Sequence, residues 1–213
     1  MGVYGMVLAG FSSNNKYSLM GGLRSSAQMI SYELSLGLLA LSVVVMTGSL
    51  NLKDIVGHQS ELPHIVYMFP AFVLFFIAGV AETNRAPFDL PEAEQELIAG
   101  FFTEYSGMKF AMFFMGEYIN MITMSALITI LFLGGWHSYI GLDGLDIPVL
   151  GAILPIGVFA FKVFILLCVF IWLRSTFPRI RYDRLMAFGW KLLLPLSLVN
   201  MMVYSVVKVW SLS

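Results

Sequence analysis

The chain is poor in charge and almost free of cysteine. Of its 213 residues, 12% are Asp, Glu, Lys or Arg and 59% are hydrophobic. Soluble domains carry about twice that charged share. A soluble fold of this length has no way to bury so much apolar surface, so lipid is the expected solvent. One cysteine, Cys168, excludes a disulfide within the chain and any thiolate metal site built from it alone. The three histidines, His58, His64 and His137, all lie in polar stretches, so the spans offer no facing pair to ligate a haem. A dinucleotide or flavin fingerprint is missing. A net charge of −1 leaves no electrostatic footprint for nucleic acid. These absences predict a membrane protein without a metal or redox cofactor of its own.

Long apolar runs are what the sequence has instead. In lipid each backbone polar group needs a partner within its own segment. Runs of more than ten residues without strict alternation read as helices rather than barrel strands. The expected fold is all-α and polytopic, with about five full spans near Ser25–Thr47, His64–Ala81, Met108–Gly134, Gly151–Leu173 and Gly189–Val209. Met1–Phe11 is apolar but reaches only about half of a bilayer at 1.5 Å per residue. It lacks a basic n-region, so it reads as part of a span rather than a signal peptide. Residues 1–213 form a single membrane domain without an internal repeat, and 82–107 form an acidic loop with a short helix in it. Cations assign the sides. Lys16, Arg24, Arg85, Lys109, Arg174, Arg179, Arg181, Arg184 and Lys191 share one side; Lys53 and Lys208 lie on the other. The acidic loop is therefore expected on a cytoplasmic or mitochondrial-matrix face, with the bacterial plasma membrane favoured over the mitochondrial inner membrane.

That loop holds Glu82, Asp89, Glu92, Glu94, Glu96 and Glu104 against a single cation, Arg85. Carboxylates this close disfavour ionising together, so the cluster is suited to holding a variable number of protons. Pro91 suits a first helical position, and a helix dipole favours acids in the first turn. This accounts for Glu92 and Glu94 but not for Glu96, which repels Glu92 at i,i+4. Three charges fall inside spans: Glu33, Glu117 and Lys162. Each costs roughly 2.5–3.5 kcal/mol at a helix centre on insertion scales. Counted from Arg24 and Lys109, the two glutamates lie at similar depth, roughly 13 Å into their helices. A static pairing of Lys162 with Glu33 or Glu117 is one reading. A hydrated line of ionisable groups entering the membrane from the acidic loop is the other, and the matched depth favours it. The Arg-rich stretch RSTFPRIRYDR reads as orientation with anionic-lipid contact, and docking of a peripheral subunit as a second use.

The stretch AETNRAPFDLPEAEQEL, followed by AGFFTEYSGMKF and GEYINM, closely resembles one family of respiratory membrane subunits. That family includes the H subunit of NADH:quinone oxidoreductase (complex I) and mitochondrial NADH dehydrogenase subunit 1. GFSSNNKYSLMGGLRSSAQMISYE and RSTFPRIRYDRLMAFGWK are similar to the same family, so the likeness runs the length of the chain. It implies an all-helical subunit where the membrane arm meets the peripheral arm. Quinone would be the substrate, with FMN and iron–sulfur clusters only on partner subunits. The implied partners are the peripheral quinone-module subunits, neighbouring small membrane subunits and membrane lipid, with no nucleic acid. Carried over by motif, Glu33, Glu82, Glu92, Glu94, Glu96, Glu104 and Glu117 resemble the family's chain of acids between the quinone cavity and the membrane arm, with Lys162 as the further intramembrane charge. Arg85 and Asp89 fall in the loop that walls the cavity, and Phe101 and Phe102 at aromatic positions near the quinone tunnel. The family has about eight spans, and its first ones, with a loop of the type GPNRVGP, are not in this sequence. A partial chain or a split gene product is expected. The alternatives are the homologous subunit of a membrane-bound hydrogenase or formate hydrogenlyase, a secondary ion transporter, and a passive anchor whose acids dock a basic partner. Transporters often show paired repeats and interrupted helices, and the sequence has neither.

Overall fold

Local signals set the helix ends. Asn15, in extended conformation, accepts a hydrogen bond from the Tyr17 amide at 3.1 Å and caps a helix over Lys16–Thr47. Gly48 ends it in the left-handed conformation, φ 79°, and donates its amide to Val44 O at 2.7 Å. The structure, a computed structural model, describes residues 2–84, 88, 104–139, 148–178 and 180–212. In chain order the helices are α1 (Gly2–Ser12), α2 (Lys16–Thr47), α3 (Leu52–His58), α4 (His64–Tyr67), α5 (Phe69–Glu82), α6 (Met108–Phe132), α7 (Pro148–Thr176), α8 (Tyr182–Phe188) and α9 (Leu194–Leu212). A π turn, Gly189–Leu193, joins the last two. No strand occurs among the described residues.

Among the described residues, four stretches are long and apolar enough to cross a membrane: Lys16–Thr47, Met108–Phe132, Ile153–Thr176 and Tyr182–Ser211. The chain is thus an all-α polytopic membrane protein. The expected span at His64–Ala81 differs, because it is divided at Met68. The cause is Pro70 in the first turn of α5, whose ring has no N–H to give and excludes the carbonyl four residues back. Three other boundaries move as well. The first full span begins at Lys16 rather than Ser25, the fourth begins at Pro148, and the last starts at Tyr182. Met1–Phe11 is matched by α1, which is a short apolar helix. The short helix expected in the acidic loop lies outside the described residues.

α2 is the central element, with α1, α5 and α9 packed along it. Small residues let these helices approach. A Cβ on Gly10 would sit 2.9 Å from Ser18 O, and one on Gly22 2.9 Å from Met6 O, so α1 and α2 touch backbone to backbone. Buried serines on α2 return their hydroxyls to its own carbonyls, as Ser31 does to Ala27 O (2.7 Å) and Ser42 to Leu39 O (2.6 Å). Aromatic rings join α5 to its other neighbours. Phe75 lies 5.4 Å from Phe132 of α6, and Phe76 lies 5.4 Å from Phe170 of α7.

Candidate functional site at the end of α5

α2 runs well past the end of α5. Gln28, fully buried, donates its Nε2 to Ala81 O at 2.8 Å and to Phe88 O at 3.0 Å. Gln28 stands about 18 Å along α2 from Lys16, so the acidic segment departs from a point recessed behind the first turns of α2. Just below that departure lie two carboxylates. Glu82 closes α5, and Glu33 of α2 is near enough for its charge to act on it. Glu82 is half-buried, and its Oε2 is fully covered with no hydrogen-bond partner among the described residues. Glu33 is exposed on the surface of this chain. Beside it, Tyr32 is wholly buried, donates its hydroxyl to Leu185 O of α8 at 3.0 Å and faces the Phe88 ring at 6.3 Å. Two carboxylates are thus gathered where α5 ends, one of them with an oxygen shut away from solvent.

Around the same end of the molecule, Glu104 is exposed and accepts from Asn15 Nδ2 at 3.0 Å. It lines a cavity of about 690 Å³ with Ser12, Ser13, Tyr105, Ser106, Met108 and Lys109. Tyr105 ties this corner together by donating to Ala9 O at 2.9 Å and packing on Phe113 of α6. Glu117 is half-buried on α6, two turns past Lys109. Glu92, Glu94, Glu96, Arg85, Asp89, Phe101 and Phe102 lie outside the described residues.

Lys162 belongs to a different neighbourhood. Its ammonium donates to Leu133 O (2.7 Å), Gly135 O (3.1 Å) and His137 O (2.7 Å), beyond the end of α6, and lies 5.2 Å from the centre of the Tyr139 ring. Glu117 is about 24 Å from Leu133 along the α6 axis, so an ion pair between Glu117 and Lys162 is out of reach. The backbone turns here on Gly134 and Gly135, both at positive φ, and Gln59 closes it. Gln59 Oε1 accepts from the Gly134 and His64 amides, while Nε2 donates to Ile130 O and Ile55 O. Gln28 and Phe88 were not singled out from the sequence. The available signal was an amide in the buried row Ser25–Gln28–Tyr32–Ser35, spaced to face a single neighbour.

The sequence model of a family described as NADH dehydrogenase matches residues 1–205. The H subunit of NADH-quinone oxidoreductase from Paramagnetospirillum magneticum is 57% identical over 93% of this chain and 56% of its own length. Its counterpart from Protochlamydia amoebophila is 54% identical over 95% of this chain and 59% of its own. NADH-ubiquinone oxidoreductase chain 1 of Triticum aestivum is 53% identical over 98% of this chain and 63% of its own. The chain therefore spans less than two thirds of the length of each of these relatives.

Proposed function

The chain belongs to the NADH dehydrogenase family, and from that premise we propose that it serves within the membrane subunit of a proton-translocating NADH:quinone oxidoreductase. In this reading it forms part of a quinone-binding cavity and an acidic relay that couples quinone reduction to proton pumping. The supporting observation is Glu82 at the end of α5, its Oε2 covered and without a hydrogen-bond partner among the described residues, with Glu33 of α2 near enough for its charge to act on it.

Reducing a quinone to a quinol consumes protons as well as electrons, and charge appearing beside carboxylates changes their proton affinity. Arg85, Asp89, Phe101 and Phe102 are assigned to the cavity wall. Glu92, Glu94, Glu96 and Glu104 answer the change first, and Glu82 with Glu33 pass it into the membrane towards Glu117. Lys162, held by three carbonyls, supplies the fixed positive charge at the far end. The electron carriers, FMN and iron–sulfur clusters, sit on partner subunits. The chain assembles with the peripheral quinone module and neighbouring small membrane subunits in a bacterial plasma membrane, its acidic segment on the cytoplasmic face.

The test is the ratio of protons moved to electrons transferred in membrane vesicles. A Glu33→Gln, Glu82→Gln double variant is expected to lower that ratio several-fold, since amides hold the shape but carry no exchangeable acid proton. A parental ratio in the double variant removes the relay.

A further inference from the structure

We propose that Phe88 anchors the acidic segment to α2, with Gln28 and Tyr32 as the positioning residues that hold it. Phe88 is buried, with 8% of its surface exposed, although it stands between Arg85 and Asp89 in the most polar stretch of the chain. Both halves of Phe88 are engaged by the same helix. Its carbonyl accepts from Gln28 Nε2 at 3.0 Å, and its ring faces that of Tyr32 at 6.3 Å. Positions 28 and 32 are one turn apart, so they present a single face.

The Gln28 amide has only one workable orientation. Its two N–H groups are spent on two carbonyls, Ala81 O at 2.8 Å and Phe88 O at 3.0 Å. Turned over, its oxygen would face two acceptors with nothing to donate. One buried side chain thus staples the last turn of α5 to a residue seven positions on. α2 is itself tied to the last span at this level. Tyr32 Oη donates to Leu185 O at 3.0 Å, and Trp190 Nε1 donates to Ser31 Oγ at 3.0 Å. Gly189, at the start of the π turn, lies flat on Tyr32; a Cβ there would stand 3.4 Å from Tyr32 Cζ. The position of Phe88 is therefore set jointly by α2 and by the last span. Its consequence for quinone rests on the cavity reading above: displacing Phe88 displaces the wall to which Arg85 and Asp89 are assigned.

Gln28→Glu is the sharpest probe, since it keeps the size and turns a donor of two hydrogen bonds into an acceptor opposite two carbonyls. The full-length protein in its assembled complex is compared with the parent by hydrogen–deuterium exchange and by quinone titration. Amides in the peptide containing Phe88 are expected to exchange about tenfold faster, the loss of a buried hydrogen-bond pair, while peptides from α6 and α7 stay at parental rates. The KM for quinone is expected to rise several-fold, with a smaller fall in kcat. Gln28→Met, of similar shape and uncharged, gives the same exchange pattern and serves where the added charge blocks assembly. Parental exchange around Phe88 in an assembled variant overturns the anchor. Faster exchange with an unaltered KM upholds the anchor and removes the cavity reading instead.

Discussion

Lys162 shows how one residue's role follows from its partners rather than its position along a helix. An unpaired ammonium in hydrocarbon is costly. Here three carbonyls of the turn that follows α6, those of Leu133, Gly135 and His137, accept from it. Lys162→Met strands them. It is expected to destabilise the assembled protein by about 2–4 kcal/mol, because charge-assisted bonds are replaced by covered, unsatisfied acceptors. A lower midpoint in a thermal inactivation curve checks this, and an unchanged midpoint means that water reaches those carbonyls freely. Glu82 is the opposite case. Its Oε2 is covered and has no partner among the described residues, while the charge of Glu33 acts on it from α2. That arrangement adds nothing to stability and suits a group that must change protonation. Glu82→Gln alone is expected to raise the thermal midpoint slightly while lowering the proton-to-electron ratio, a divergence measurable on one preparation.

Among the helices, small residues decide which pair may touch. Gly22 and Gly37 both lie in α2 and are indistinguishable by composition. A Cβ on Gly22 meets Met6 O at 2.9 Å, whereas one on Gly37 meets nothing within 4 Å. Gly22→Ala should therefore cost about 1–3 kcal/mol as α1 is pushed from its seat. Gly37→Ala should gain up to about 1 kcal/mol from helix propensity alone. Unfolding of the two variants side by side in the same lipid reads the difference, and equal effects would contradict the α1–α2 contact. Pro70 works at the same scale. It divides what the apolar pattern presents as one span into α4 and α5 at Met68, while Gln59 and His64, ahead of α4 and at its start, bond to the end of α6. Periodicity sees apolar residues continuing through Met68 and is blind to the lost amide.

For the molecule as a whole, the long helices alternate in direction, and cross-helix bonds fix which ends are neighbours. Lys208 Nζ donates to Met46 O at 2.7 Å and Tyr204 Oη to Tyr67 O at 3.3 Å at one end; Gln28 meets Ala81 and Tyr32 meets Leu185 nearer the other. Sidedness then becomes a single experiment. With Cys168 replaced by serine, Lys53→Cys is expected to react with a membrane-impermeant maleimide from outside intact cells. Ser106→Cys should react only once the membrane is opened. The reverse pattern would invert the placement of the acidic segment and with it the proposed relay. The family likeness, legible in stretches such as ETNRAPFDLPEAEQEL, is matched by the comparison with known proteins over residues 1–205.

Residue types along the chain were sufficient for the solvent, the helical class and the family, because transfer cost and backbone satisfaction in lipid are properties of a segment taken alone. Depth was not among them. Counting from Arg24 and Lys109 puts Glu33 and Glu117 level with each other; in the fold α2 extends back to Lys16, and the charge of Glu33 acts on Glu82 of α5. Which acids meet depends on the axial offset of α5 against α2. That offset is tied to a proline break and to one buried amide that bonds residues more than fifty positions away. Such terms depend on neighbours that only folding supplies, so the partners of Gln28, Glu33 and Lys162 came from the assembled helices.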